Sequence, residues 1–364
     1  MNWHIILTRK CNLNCRYCGE GEGISEKRRI EYRIEDLTAF LDKDKSDRLV
    51  INFYGGEPTL EPELMEKIAR AFPQASFMLQ TNGTGIANLS EFVLTRLHSV
   101  LISIDGREEV TDANRGKGTY RKALEGARDA RRRGFAGDLI ARFAVSKESD
   151  IYKEVKHVLS LTDPKFDYVH WQLNAFWHED NLYDTVGGFK AWLNSIYNPG
   201  IARLVEEWVQ SIERGQMSGI APFIPLMRTL LTGQKASLWC GSGRDTFSIE
   251  VDGSIYTCPI SPDIMELKVG HIRTTVPEAL RNIGPVGGPC VSCEVFSVCG
   301  GRCLFANRFF SKHPDFEEVC SSVKFLIQCL KEREGRVRAA MRTGKIDFNA
   351  LEWPLLNNGC EIVP

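Results

Sequence analysis

The chain has 364 residues, 43% hydrophobic and 26% charged, with a net charge of -1 and a pI near 6.7. This is the composition of a globular protein long enough to bury a substantial core, and its near-neutral charge argues against a broad surface for nucleic acid or anionic membrane. No run of about 18 apolar residues is present to span a bilayer, and no signal-peptide pattern precedes the first apolar run, so a cytoplasmic location is expected.

From residue 3 to about residue 174, short apolar runs alternate with helical periodicity. The pattern predicts strands at residues 3–7, 49–53, 77–80, 100–104, 139–145 and 168–173. Between them it predicts helices at 35–42, 62–71, 90–97, 119–133 and 151–161. Such alternation implies an α/β fold with parallel strands and right-handed crossovers, here a partial (β/α)6 barrel. Ligands in such sheets gather at the carboxyl ends of the strands. The helix over 119–133 carries Arg128, Arg131, Arg132 and Arg133 before Gly134. These cations are read as a solvated helix end closed by glycine rather than as a phosphate site. Residues 181–232 turn helical and aromatic; Trp177, Trp192 and Trp208 suit either the lining of a peptide groove or core packing, and core is the reading adopted. The expected division is 1–180, a bridging segment 181–235, a cysteine-rich domain 236–330 and a tail 331–364.

The twelve cysteines fall into groups. Cys11, Cys15 and Cys18 stand just past the first predicted strand in the spacing C-x3-C-x2-C. Three thiolates can hold three corners of a [4Fe-4S] cube and leave the last iron open to another ligand. A zinc site with a distant fourth ligand, or reduced structural thiols, are the alternatives for the triplet alone. No cysteine lies between Cys18 and Cys240, while eight lie between Cys240 and Cys329 inclusive. Dense groups separated by a bare stretch suggest separate metal-binding regions rather than a disulfide scaffold.

The second predicted strand ends in Tyr54-Gly55-Gly56-Glu57-Pro58. Adjacent glycines allow close backbone approach, and an acid beside them can accept from an ammonium group; in isolation the motif also suits a tight turn. Thr81-Asn82-Gly83 follows the third strand and Ser103-Ile104-Asp105-Gly106 closes the fourth.

With C-x3-C-x2-C before it, the glycine motif resembles the GGEP motif of the radical S-adenosylmethionine (SAM) enzymes. The resemblance implies that Cys11, Cys15 and Cys18 ligate a [4Fe-4S] cluster whose open iron chelates SAM. It also implies that Gly55, Gly56, Glu57 and Pro58 form the SAM amino site and that Tyr17 lies near the adenine. Thr81 and Asn82 resemble family positions around SAM, and Ser103 and Asp105 positions near its ribose and carboxylate. Arg115, in a stretch with Asn114 and Gly118-Thr119-Tyr120, resembles a feature of the same branch. Arg142 and Gln172 are expected to point inward from strands five and six.

Cys240, Gly253, Cys258, Cys290, Cys293, Cys299, Cys303 and Cys320 follow the order and spacing of the SPASM extension. That resemblance implies two auxiliary [4Fe-4S] clusters, three with the first. The outer one would be held by Cys290, Cys293, Cys299 and Cys320, and the inner one by Cys240, Cys258 and Cys303. Zinc ribbons are the alternative for the C-x2-C pair, but seven cysteines cannot fill two four-thiolate zinc sites. The inner set lacks a fourth cysteine, since none lies between Gly241 and Thr257. An open iron, Cys360, Cys329 or a carboxylate are the options, with Cys329 expected to be a buried helix residue.

The whole pattern resembles the peptide-modifying branch of radical SAM/SPASM proteins. It implies SAM cleavage to a 5′-deoxyadenosyl radical, hydrogen abstraction from a peptide side chain or backbone, and closure of a thioether or carbon-carbon bond. The expected partners are a peptide or protein substrate and a low-potential donor such as ferredoxin or flavodoxin. A sulfatase-type formylglycine maturase is the first alternative. It is weakened because Pro259 follows Cys258 where such relatives place an aspartate base. An Fe-S carrier or scaffold is the second, and a carrier needs no SAM motif.

Overall fold

A computed structural model describes residues 1–18, 29–147, 149–175, 188–260, 264–353, 357 and 362–364. In chain order it contains β1 (Asn2–Ile6), α1 (Ile34–Leu41), β2 (Val50–Tyr54), α2 (Pro62–Ala71), β3 (Ser76–Thr81) and α3 (Glu91–Arg96). There follow β4 (Leu97–Ser103), α4 (Glu108–Arg115), α5 (Thr119–Arg132), β5 (Asp138–Val145), α6 (Ile151–Ser160) and β6 (Tyr168–Leu173). Next come α7 (Gly188–Trp192), α8 (Asn198–Glu213) and α9 (Phe223–Thr232). Strands β7 (Thr246–Ile249), β8 (Ser254–Tyr256) and β9 (Lys268–His271) precede α10 (Phe296–Cys299), α11 (Leu304–Phe309) and α12 (Pro314–Arg342). The six strands expected from the alternation are present within a few residues at each end. Helix α4 is an addition, since its acidic start and buried Thr111 lack a long apolar stripe.

The chain packs as two units, each discontinuous in sequence. One comprises Met1–Ile104, Thr111–Ile140 and Cys240–Pro285, and the other Asp105–Val110, Ala141–Trp239 and Val286–Pro364. The expected boundary at residue 330 falls inside α12, where a continuous helix stands in place of a linker.

In the first unit the strand order is β4-β3-β2-β1-β7-β8-β9. Strands β1 to β4 are parallel neighbours, and β7 joins the other side of β1, also in parallel. The pairing of Trp3 with Phe247 and Ile5 with Ile249 makes part of the cysteine-rich region an extension of this sheet. Trp3, wholly buried, packs edge-on against Phe40 and lies beside Phe247, while Phe53 stacks on Phe77. The alternation of a pleated strand puts His4, Asn52, Met78, Ser99 and Ser248 in register on the opposite face. There Asn52 hydrogen-bonds the His4 ring at 2.9 Å, and burial lowers the His4 pKa to about 4. Arg131 donates to the carbonyls of Phe135 and Gly137, and Arg133 to those of Ile86, Ala87 and Leu89. Arg132 pairs with Glu125 and Asp129. Arg132 stays on the solvated side of α5, whereas Arg131 and Arg133 tie the helix to backbone beyond its own end.

The second unit is built on aromatic packing. Trp171 donates to the Tyr197 hydroxyl at 2.8 Å, and both Trp171 and Trp208 meet Phe223 edge-on. Trp192 and Trp208 are buried, as expected of core residues. Helix α8 is clamped to α12 by Arg333 and Arg336, which share Glu206, and by Arg336 with Glu213. Cys329 is buried within α12. Trp177, residues 181–187 and Cys360 lie outside the described residues.

Candidate active site and cluster-binding cysteines

The end of β1 leads directly into the first cysteine loop. Its position is set by the turn after β2. Gly56 N donates to Thr8 O and Glu57 N to Lys10 O, each at 2.8 Å. A Cβ on Gly55 would collide with the Thr8 carbonyl oxygen, and one on Gly56 with the carbonyls of Lys10 and Arg9. Gly55 also holds φ +138°, which disfavours a side chain. The glycines therefore do more than admit a ligand: they admit the backbone that carries Cys11.

Glu57 is 1% exposed, and its side chain is engaged by the protein. Oε1 accepts from Thr59 N at 3.0 Å, Thr59 Oγ1 at 2.7 Å and Thr81 Oγ1 at 2.6 Å, while Oε2 accepts from Asn82 N at 2.7 Å. Burial pushes the Glu57 carboxyl up, against the pull of the hydrogen bonds from Thr59, Thr81 and Asn82. The sequence predicts an acid that faces SAM; in the structure its oxygens staple the ends of β2 and β3. Asn82 carries the staple onward, its Nδ2 lying 2.8 Å from Asn12 Oδ1 and 3.9 Å from Cys11 Sγ. Cys11 Sγ also accepts from Leu13 N at 3.4 Å. The other side of the loop is fixed by Arg16 N donating to Asn114 O, and by the Arg115 guanidinium 5.3 Å from the Tyr17 ring centroid. Cys11 and Cys18 are exposed and Cys15 half-buried.

Cys11, Cys15, Cys18, Tyr17, Gly55, Gly56, Glu57, Pro58, Thr81, Asn82, Ser103 and Arg115 all belong to the first unit. Asp105 and Arg142 belong to the second. Buried Asp105 accepts from Ala144 N at 3.0 Å, and Arg142 hydrogen-bonds Gln172 and the Phe143 carbonyl. Sequence reasoning missed one buried pair beside the first cysteine loop: Arg9 with Glu250, whose Nε and Oε2 are 3.0 Å apart. No spacing rule connects residues so far apart in the chain.

Cys240 and Cys258 are also in the first unit. Ser242 Oγ donates to Thr257 O at 2.7 Å and so ties together the stretches that bear them. Gly253, at φ +87°, turns β7 into β8 between them. Cys303 belongs to the second unit. There Cys290, Cys293, Cys299, Cys303 and Cys320 line one cavity, with Val295, Phe296, Phe316, Val319 and Arg302. Among the described residues no carboxylate or imidazole lines it. Burial pushes the Cys299 thiol up to about 12 and that of Cys320 to about 11. Burial also raises Cys290, whose Sγ accepts from Asn307 Nδ2 at 3.4 Å. A group that binds here as thiolates must release protons. An all-thiol, apolar cavity fits a [4Fe-4S] cluster, with N–H donors on the sulfurs as tuning contacts. Among the described residues no three His, Cys, Asp or Glu side chains converge on a single ion.

Parallel strands that deliver three loop cysteines and a glycine turn to one end define a class. Residues 5–156 match the Radical SAM superfamily. The chain is 25% identical over 324 residues to mycofactocin maturase MftC of Mycolicibacterium smegmatis, covering 85% of this chain and 79% of that one. It is 23% identical to the radical SAM cyclopropyl synthase TigE of Paramaledivibacter caminithermalis, over 92% of this chain and 74% of that one. The structure of anSMEcpe with bound AdoMet and the Cp18Cys peptide superposes with a TM-score of 0.72 at 21% identity, covering 94% and 99% of the two chains. This last likeness establishes the shared α/β fold. No described helix is long and apolar enough to cross a membrane.

Proposed function

We propose that the enzyme modifies a peptide or protein by radical chemistry begun at the loop of Cys11, Cys15 and Cys18. The observation that carries this reading is the backbone clasp between that loop and Gly55-Gly56, stapled by Glu57 to Thr81 and Asn82. An exposed thiol set held rigidly from behind suits a cluster that must admit a small ligand. When bound, the cluster and SAM supply the 5′-deoxyadenosyl radical that removes a substrate hydrogen. The chain's part is to ligate, orient and exclude water. The three thiolates hold the iron, Glu57 and the glycine turn receive the SAM ammonium, and Tyr17 lies along the adenine. Thr81, Asn82, Ser103, Asp105, Arg115 and Arg142 complete the SAM contacts.

Two auxiliary clusters complete the set of three. Cys290, Cys293, Cys299 and Cys320 hold the outer one, and Cys240, Cys258 and Cys303 the inner one with an iron left open. A cluster held there would offer an open position to a substrate cysteine thiolate, its proton lost to solvent, and would supply an acceptor for the electron given up as sulfur bonds the substrate carbon radical. The product is a thioether or a related crosslink, and a ferredoxin or flavodoxin supplies the starting electron.

Anaerobic reconstitution tests this directly. The expected result is about twelve irons, SAM cleavage, and loss of a hydrogen pair from the mass of a cysteine-containing peptide. Tight zinc with little iron, or SAM cleavage that leaves every cysteine peptide unchanged, overturns the proposal. Cys360→Ala serves as the control for internal ligation: a wild-type inner cluster blind to added thiol that becomes responsive in the variant removes the open site.

A further inference from the structure

Between Cys299 and Cys303 the chain makes three successive left-handed residues: Gly300 at φ +71°, Gly301 at +94° and Arg302 at +51°. Glycine takes such angles freely, but an arginine there is a backbone outlier, of a kind that clusters at functional positions. Arg302 is 7% exposed and lines the same cavity as the five cysteines. The other cation on that wall, Lys324, is paired with Glu294 at 3.0 Å, and both side chains are open to solvent. Among the described cavity-lining residues, Arg302 is therefore the buried cation.

We propose that Arg302 is the charge partner of the cluster in this cavity and raises its reduction potential. The inference rests on the reading of the cavity as the outer auxiliary site. Reduction makes a thiolate-ligated cluster more anionic, and a fixed cation in a low-dielectric wall favours the more anionic state. A raised potential makes the cluster a better electron acceptor. The left-handed turn thus carries an arginine, where its two preceding neighbours are glycines, on the wall of this cavity.

The test is an anaerobic redox titration of the reconstituted full chain, followed by electron paramagnetic resonance, with iron content measured alongside. It is run in the Cys11→Ala/Cys15→Ala/Cys18→Ala background, so that only auxiliary clusters report. Arg302→Asn removes the charge with a residue that tolerates left-handed backbone, and Arg302→Lys keeps the charge. Arg302→Asn should retain its iron while one auxiliary signal becomes at least about tenfold harder to reduce at a given potential, about 59 mV for one electron. Arg302→Lys should restore most of that shift. Equal potentials in the two variants with iron retained overturn the inference, as does loss of iron from both, which would make Arg302 a structural element. Absence of auxiliary iron before Arg302 is changed overturns instead the cluster reading beneath it.

Discussion

The two cysteine regions solve different problems. The first places Cys11 and Cys18 in the open, on a loop held from behind by the backbone of Gly55-Gly56 and the Glu57 staple. The second encloses its sulfurs among Val295, Phe296, Phe316 and Val319. A centre that exchanges a free ligand needs exposure with rigidity. A centre that only passes electrons is better served by enclosure, which keeps water from the sulfurs and tunes potential through nearby charge.

The largest expected effect comes from breaking the open region outright. Alanine at Cys11, Cys15 and Cys18 together should remove about four irons, abolish SAM cleavage and leave the enclosed cysteines loaded. Equal iron loss from both regions, read by iron assay, would show that they are not independent.

Gly56→Ala attacks the clasp without touching a thiol. Its Cβ meets the Lys10 and Arg9 carbonyls, so the cysteine loop must move, at a cost of about 1–3 kcal/mol. SAM-dependent turnover should fall sharply while auxiliary iron stays. Normal SAM cleavage in the variant would mean that the clasp does not set the geometry.

Glu57→Gln is the milder cut. A Gln side chain presents one acceptor oxygen and an NH2 group to donors that now include Thr59 N, Thr81 Oγ1 and Asn82 N. The expected result is about 1–3 kcal/mol of lost stability in denaturant melts, plus SAM affinity weaker by about tenfold or more in calorimetry. Lost stability with unchanged affinity would reduce Glu57 to its staple role.

The smallest effects belong to α12, which carries Cys320. Glu206 is held at about 2 by its hydrogen bonds from Arg333 and then Arg336. A carboxyl depressed on folding contributes stability above its unfolded pKa of about 4.3 and loses it as pH falls toward about 2. Glu206→Gln should therefore lower the melting temperature slightly at neutral pH, with the difference from wild type shrinking as pH falls toward about 2. Cys329→Ala should change no iron count at all, because its thiol is buried helix packing.

Much of this was legible before any coordinates. Residues 168–173 and 62–71 read correctly as strand and helix, because β-rich alternation and Pro62 at a helix start are local signals. The cysteine spacing and the adjacent glycines marked both regions, since metal ligation and close backbone approach restrict residue type within a few positions. Hidden were the contacts made across the chain. Nothing local in Thr246–Ile249 announces that it will pair with β1, because a four-residue apolar strand has no preferred partner until the sheet exists.

The sequence by itself determined the donor chemistry: three cysteines after a strand, two glycines and an acid after the next, and a second crowded set of thiols. Only the tertiary structure decided that the glycines receive the Cys11 loop, that Glu57 spends its oxygens on Thr59, Thr81 and Asn82, and that Arg302 lines the cavity of the enclosed sulfurs. Spacing dictates which groups can act, but burial, charge and hydrogen-bond geometry come from residues that meet only when the chain closes on itself.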